Sequence, residues 1–271
     1  MKSHSFARAA LFLWVGLSGT AQADEALKAA VAGKQRTPAF VARDVWRHPV
    51  ETLSFMGITP EMTVVEISPG AGWYTEILAP YLRDKGQLIL AASDPTSSNE
   101  YARRGAERLK KKLDTQPAVY DKVKLGVFEP PAKLNYAAPG TADLVLTFRN
   151  VHNWAAEGEP VTKAVFQSMY DTLKPGGVLG VVDHRLPPER ALDPKFESGY
   201  VHVAYVLRIA QIVGFKLQDQ SEVNANPKDT ADHPGGVWAL PPTYANKDTD
   251  RARLNAIGES DRMTLKFVKP R

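Results

Sequence analysis

Thr63 to Thr75 constrains this chain more than any other stretch. Thr63-Val64-Val65-Glu66-Ile67 is β-branched and apolar apart from one carboxylate, which predicts a short buried strand. Ser68-Pro69-Gly70-Ala71-Gly72 interrupts any regular structure. Trp73, Ile77, Leu78, Tyr81 and Leu82 then recur at helical spacing, so a helix opens directly behind the second glycine. A strand, a tight glycine turn and a helix N-terminus together make a nucleotide site. The glycines permit close backbone approach, and the helix end offers unpaired N–H groups.

The rest of the chain alternates in the same way. Strands are predicted at 87–91, 123–128, 142–148, 178–182, 215–222 and 263–268. Helices are predicted at 99–113, at 161–173 with Val165, Phe166 and Met169 inward, and at 198–213 with Tyr205, Val206, Ile209 and Ile212 as its apolar positions. Residues 225–260 carry no periodicity and are rich in Pro, Gly and Asn. Alternation of strand and helix predicts a mostly parallel sheet covered on both faces. Ligands of such sheets bind beyond the carboxyl ends of the strands, where the strand order reverses. The Arg149-Asn150-Val151-His152-Asn153-Trp154 cluster follows the fourth strand and is delivered to that place.

The glycine turn does not fit a dinucleotide fingerprint, because Thr75 stands where the third glycine belongs. The order Glu66, x, Ser68, x, Gly70, x, Gly72 resembles motif I of the class I S-adenosylmethionine-dependent methyltransferases instead. Leu173-Lys174-Pro175-Gly176-Gly177 resembles the loop that leads into the fifth strand of the same family. The resemblance covers about 60–182 by motif and the remainder by element order. It implies a Rossmann-like, seven-stranded, mostly parallel sheet with helices on both faces and an antiparallel last strand. S-adenosyl-L-methionine is the implied cofactor, with methyl transfer to an unidentified small molecule as the implied activity.

The implied cofactor residues are Glu66, Ser68, Gly70, Gly72, Asp94 and Glu129. The family's ribose-binding acid has no direct match. Ala92 occupies its position with Asp94 two residues later, so either the strand is slipped, or Asp94 reaches back, or the ribose is held less well. Asn150 and His152 are the implied catalytic pair, and Trp154 and His184 the implied acceptor contacts. His152 can take a proton near neutral pH or pack under its loop against a backbone carbonyl. His184-Arg185 and the Gly258–Phe267 stretch are similar to those of a group of exported, uncharacterised proteins regarded as methyltransferases. A non-catalytic exported binder of an adenosyl or other small ligand, on the same fold, is the alternative.

Other chemistries lack their residues. His48, His152, His184, His202 and His233 include no pair at i, i+4, so no metal site is read from the sequence. Neither a G-x-S-x-G nucleophile elbow nor a G-x-x-x-x-G-K-[S/T] phosphate loop is present.

At the N-terminus, Lys2 and Arg8, the apolar run 9–17 and Ala21-Gln22-Ala23 read as a signal peptide over 1–23, cleaved before Asp24. That predicts a periplasmic or secreted protein with no stable membrane anchor after cleavage. No cysteine exists to carry a lipid or a disulfide. Without Lys2 and Arg8 the balance is 32 basic to 30 acidic side chains, and the only basic run, Lys110 to Lys112, reads as a solvated helix face. No nucleic acid partner is expected. Leader helices are assigned to 24–58 and the methyltransferase-like domain to 59–271. Arg43, Arg47 and His48 in the leader read as surface residues, or as a histidine bonded to a backbone carbonyl, ahead of the alternative that they face the site.

Overall fold

The computed structural model describes residues 18–271, with side chains from 25 onward. The basic residues and apolar run of the expected signal peptide, 1–17, lie outside the described residues. Helix α1 (Ser18–Val31) comes first, then the short helices α2 (Pro38–Val41) and α3 (Asp44–Arg47), and α4 (Pro49–Met56). Strand β1 (Thr63–Ile67) leads through the glycine turn into α5 (Thr75–Leu82) and β2 (Gln87–Ala92). Helices α6 (Glu100–Thr115) and α7 (Pro117–Tyr120) precede β3 (Lys124–Val127). The second half runs β4 (Ala142–Phe148), α8 (Val151–Ala156), α9 (Glu159–Thr172), β5 (Leu173–His184), α10 (Val203–Val213) and β6 (Lys216–Ser221). Helix α11 (Arg251–Ile257) and β7 (Arg262–Val268) close the chain.

These strands form one seven-stranded sheet in the order β3-β2-β1-β4-β5-β7-β6. The first five are parallel, and β7 runs antiparallel to both β5 and β6. Strand alternation explains why both faces are apolar. Val64, Leu144 and Leu146 point to one side with Leu27, Leu53, Ile77 and Leu78 of the helices α1, α4 and α5. Val65, Ile67 and Val145 point to the other with Phe166, Met169, Val206 and Ile209 of α9 and α10. The leader helices therefore complete one layer of the core. Among the described residues, no helix is long and apolar enough to cross a membrane.

Strand β4 follows its expected limits, and α6 starts where Asn99 caps it by accepting from the N–H groups of Tyr101 and Ala102. Three expectations need correction. Strand β5 is longer than 178–182, and α10 begins at Val203 rather than at 198. The backbone of 198–202 is committed elsewhere: Val201 N–H donates to His184 O and Leu186 N–H to Val201 O, both at 2.9 Å. Residues 225–260 hold α11 and a small apolar cluster of Ala239, Leu240, Leu254 and Ile257, and polar contacts tie the rest down. Asp229 accepts from Tyr200 Oη at 3.0 Å and Asp261 N–H at 2.8 Å, and Asn226 Nδ2 donates to Glu259 O at 2.6 Å. Lys112 is not part of a solvated face, since its ammonium reaches buried Glu76 of α5 at 2.5 Å.

Candidate active site at the switch in strand order

The strand order reverses between β1 and β4, so the segments leaving their carboxyl ends face one another. The turn after β1 is held in left-handed backbone, with φ of +50° at Ser68, +59° at Gly70 and +78° at Gly72. Its start is pinned to the neighbouring strand by Ser68 N–H donating to Ala91 O at 2.9 Å. A β-carbon on Gly70 would meet nothing within 4 Å, whereas one on Gly72 would meet the Lys112 side chain at 3.2 Å. Gly70 is therefore the open side of the cradle. Glu66 is buried and accepts from Thr75 Oγ1 at 2.7 Å. Thr75, in place of a third glycine, is thus the group that holds this carboxylate. Burial pushes Glu66 up to about 7, against the opposing effect of the Thr75 hydrogen bond. A cationic group placed beside Glu66 would be stabilised by it.

The expected ribose and adenine residues sit together beyond β2 and β3. Strand β2 ends at Ala92, paired beside Val127 of β3, with Asp94 two residues beyond it. Asp94 accepts from the N–H and the hydroxyl of Thr96, both at 2.7 Å, and pairs with Lys133. The Lys133 hydrogen bond, then those of Thr96, pull its carboxyl down to about 2. Glu129 accepts from Ser97 Oγ and pairs with the same Lys133 at 3.3 Å. Both carboxylates are thus tethered to one lysine beyond the ends of β2 and β3.

Across the switch, Arg149 adopts a φ of +62° and turns the chain into α8. Asn150 Nδ2 donates to Ile67 O at 3.1 Å and to Thr147 Oγ1 at 3.0 Å, tying β1 to β4. Both hydrogens of its amide nitrogen are spent on the scaffold, so Asn150 positions the cleft rather than donating to an acceptor. Trp154 is a second correction. It is buried in the core beside Phe128 at 5.9 Å and forms no wall of the cleft.

His152 Nδ1 lies 2.9 Å from Asp183 Oδ1, and its backbone N–H donates to Asp183 Oδ2 at 3.1 Å. The expected carbonyl partner is replaced by a buried carboxylate. A carboxylate accepts, so in the neutral ring Nδ1 carries the hydrogen and Nε2 the lone pair. Among the described residues, that buried Nε2 has no hydrogen-bond partner. A base held by an acid, with its reactive nitrogen free, is the arrangement proton transfer requires.

His184 lies beside it, ring centroids 5.2 Å apart, with Nδ1 2.6 Å from Ser260 Oγ. Burial first, then the nearby His152 and Arg149, pull His184 well below its ordinary value, so the ring is neutral. Trp238 packs edge-on to His152 at 5.5 Å and to His184 at 6.4 Å, in the place expected of Trp154.

Donor atoms of His152, Asp183 and His184 lie within 4.8 Å of one another, a trio that could hold a metal ion and that sequence spacing did not reveal. Asp183, however, already accepts three N–H groups, His184 N–H among them at 2.8 Å. Arg149, Arg262 and Arg47 also add positive charge beside His184. The trio is built to orient His152 more than to bind a cation.

The residues that sequence reasoning placed wrongly are the leader arginines. Arg47 is only 1% exposed. Its Nε lies 3.3 Å from Glu259, and Arg43 Nε reaches the other Glu259 oxygen at 2.5 Å. Arg262 joins the same carboxylate at 3.2 Å. Gly258 makes this possible: with φ +87°, a β-carbon there would strike the Trp46 ring at 2.3 Å. The turn therefore lies flat on α3 and presents Glu259 to it. No short-range pattern joins 43–47 to 258–262, because the contact exists only after folding.

In sequence, no family model and no curated protein matches the chain. In structure, a SAM-dependent methyltransferase from Aquifex aeolicus superposes with a TM-score of 0.55 at 14% identity, over 91% of this chain and 98% of that one. A candidate sarcosine dimethylglycine methyltransferase from Galdieria sulphuraria gives 0.54 at 14% identity, over 84% of each chain. The [4+2]-cyclase SpnF gives 0.53 at 13% identity, over 93% of this chain and 94% of that one. The chain therefore has the Rossmann-like, seven-stranded fold of the class I methyltransferases.

Proposed function

We propose that this protein transfers a methyl group from S-adenosylmethionine to a small-molecule acceptor, as an exported enzyme. The observation that carries the reading is the His152–Asp183 pair, from α8 and the end of β5, beyond the same carboxyl edge of the sheet as the open glycine turn after β1. The residues fit the cofactor. Gly70 leaves room for close approach, and Glu66 offers a buried carboxylate to an ammonium group. Asp94 and Glu129 stand on the nucleotide side.

The bound cofactor supplies an activated methyl group on a sulfonium. The protein's part is alignment and proton handling. Trp238 and the neutral His184 ring flank the reacting place and exclude water. His152 Nε2 takes the proton that the acceptor loses as it becomes nucleophilic, and Asp183 stabilises the resulting imidazolium.

Asp94 favours a second reading. Its oxygens are already engaged by Thr96 and Lys133, which leaves it poorly placed to take both ribose hydroxyls. SpnF, a cyclase, has a similar fold. On that reading the protein binds an adenosyl or other small ligand without methyl transfer.

Calorimetric titration with S-adenosylmethionine, S-adenosylhomocysteine and NAD separates these. Tight binding of the first two and none of NAD is expected. Failure of both sulfur nucleosides to bind would overturn the proposal.

A further inference from the structure

Four guanidinium groups converge beside the proposed methyl-transfer cleft. Arg43, Arg47 and Arg262 all pair with Glu259, and Arg149 lies close enough to share its field. Among the described residues, Glu259 is the one carboxylate that these side chains bond. Asp183 is engaged by the N–H groups of the histidines, and Asp261 by Arg185 at 2.7 Å. One carboxylate thus answers three guanidinium groups in direct contact, with Arg149 as a fourth beside them. The neighbouring network shows what balance looks like here: Arg36 and Lys112 are matched by Asp44 and Glu76.

The excess is not solvated away. Arg47 is 1% and Arg262 3% exposed. Among the described residues, buried Arg43 Nη2, Arg47 Nη2 and Arg262 Nε have no hydrogen-bond partner. Guanidinium groups do not give up their protons at ordinary pH, so these are unspent donors with unspent charge. Burial, then neighbouring arginines, lower Arg47 well below its usual value and Arg149 to about 10. An uncompensated buried charge is costly, so such a cluster points to an anion that completes it.

The cofactor cannot complete it. S-adenosylmethionine carries one carboxylate against an ammonium and a sulfonium, so it adds net positive charge. Its carboxylate would still leave the arginines in excess. We infer that the acceptor is itself an anion, bearing a phosphate or more than one carboxylate, and that Arg43, Arg47, Arg149 and Arg262 receive it beside His152. Planar guanidinium forks suit both groups, which take bidentate hydrogen bonds. This inference rests on the methyl-transfer reading for the word acceptor, and on the arginine geometry for the anion.

The test uses the full-length protein and inorganic phosphate, by calorimetry against chloride at equal ionic strength, with and without saturating S-adenosylhomocysteine. Phosphate binding in both conditions, weakened tenfold or more by Arg149→Gln with S-adenosylhomocysteine affinity unchanged, is the expected result. Arg43→Gln, at a more exposed position, serves as the second variant and should show the same loss if Arg149→Gln fails to fold. Two results overturn the inference. One is phosphate binding no better than chloride. The other is competition between phosphate and S-adenosylhomocysteine with loss of both in the variants, which would assign the arginines to the cofactor's carboxylate. Phosphate binding without any nucleoside binding would uphold the anion site while removing the methyl-transfer reading.

Discussion

Glu259→Gln isolates the electrostatics of the arginine cluster, because it removes one charge with almost no change in shape. Glu259 is 4% exposed, and its neighbours Arg47 and Arg262, with the Arg43 hydrogen bond, hold its carboxyl at about 2 against an ordinary value of 4.5 despite the opposing effect of burial. At 1.36 kcal/mol per unit, that difference is worth about 3 kcal/mol of folding stability at pH 7. Breaking a buried ion pair from one side independently suggests about 3–5 kcal/mol. The sign follows from the depressed folded-state value. The stabilisation is fully present above 4.5, where the unfolded group is ionised, and is lost as pH falls from 4.5 toward 2. Urea denaturation of wild type and variant at pH 7 and pH 3.5 reads it directly, since other titrating groups cancel in the difference. The gap should narrow from about 3 to about 2 kcal/mol, and the pH 7 melting temperature should drop by roughly 6–12 °C. A gap below about 1 kcal/mol at pH 7, or one that widens in acid, would show that the guanidinium groups are solvated and that no buried excess charge exists.

The glycine turn and the base give two further tests. A β-carbon at Gly70 meets no atom of the described residues within 4 Å, so the folding cost of Gly70→Val is chiefly the left-handed backbone, about 1–2 kcal/mol; S-adenosylhomocysteine affinity should fall at least tenfold, and equal affinity would make the turn structural only. Gly72→Val is the poorer probe, since it pushes on Lys112 and so on the Glu76 pair. His152→Gln keeps a donor for Asp183 but no base, so turnover on an identified acceptor should fall ~10²–10⁴-fold with cofactor affinity unchanged; a variant that melts early and turns over normally would put His152 in the scaffold.

The sheet was legible because its strands announce themselves twice, by β-branched content and by alternation. Val64 and Val65 point to opposite cores, and their sequence already requires two covered faces. The turn after β1 was legible for a similar reason: two glycines one residue apart behind a strand have few other uses. Residues 225–260 were opaque because much of their order comes from Asp229, Asn226 and Tyr200, whose hydrogen bonds have no period. Trp154 misled because α8 turns its large apolar side chain toward Phe128, while Trp238, from that unperiodic segment, reaches the histidines. The arginines misled for a different reason. Arg43, in the turn before α3, and Arg47, in α3, look solvated until Glu259, more than two hundred residues later, packs against them.

The two sides of the cleft carry opposite charge, and that asymmetry bears on how a ligand would lie. Carboxylates mark the glycine turn and the ends of β2 and β3, through Glu66, Asp94 and Glu129. Guanidinium groups mark the end of β4 and the leader helices, through Arg149, Arg43 and Arg47. A ligand with cationic and anionic ends is oriented by such a field before any short-range contact forms. On the proposed function, the cationic cofactor settles on the acidic side and the anionic acceptor on the basic side, which brings unlike charges together at the reacting atoms. His152 is held by Asp183 beside His184, whose surroundings include Arg149, Arg262 and Arg47. An anionic acceptor offsets the arginines' charge on arrival, while Asp183 holds the imidazolium formed during proton transfer. The same arginines would thus select the acceptor and hold it beside His152.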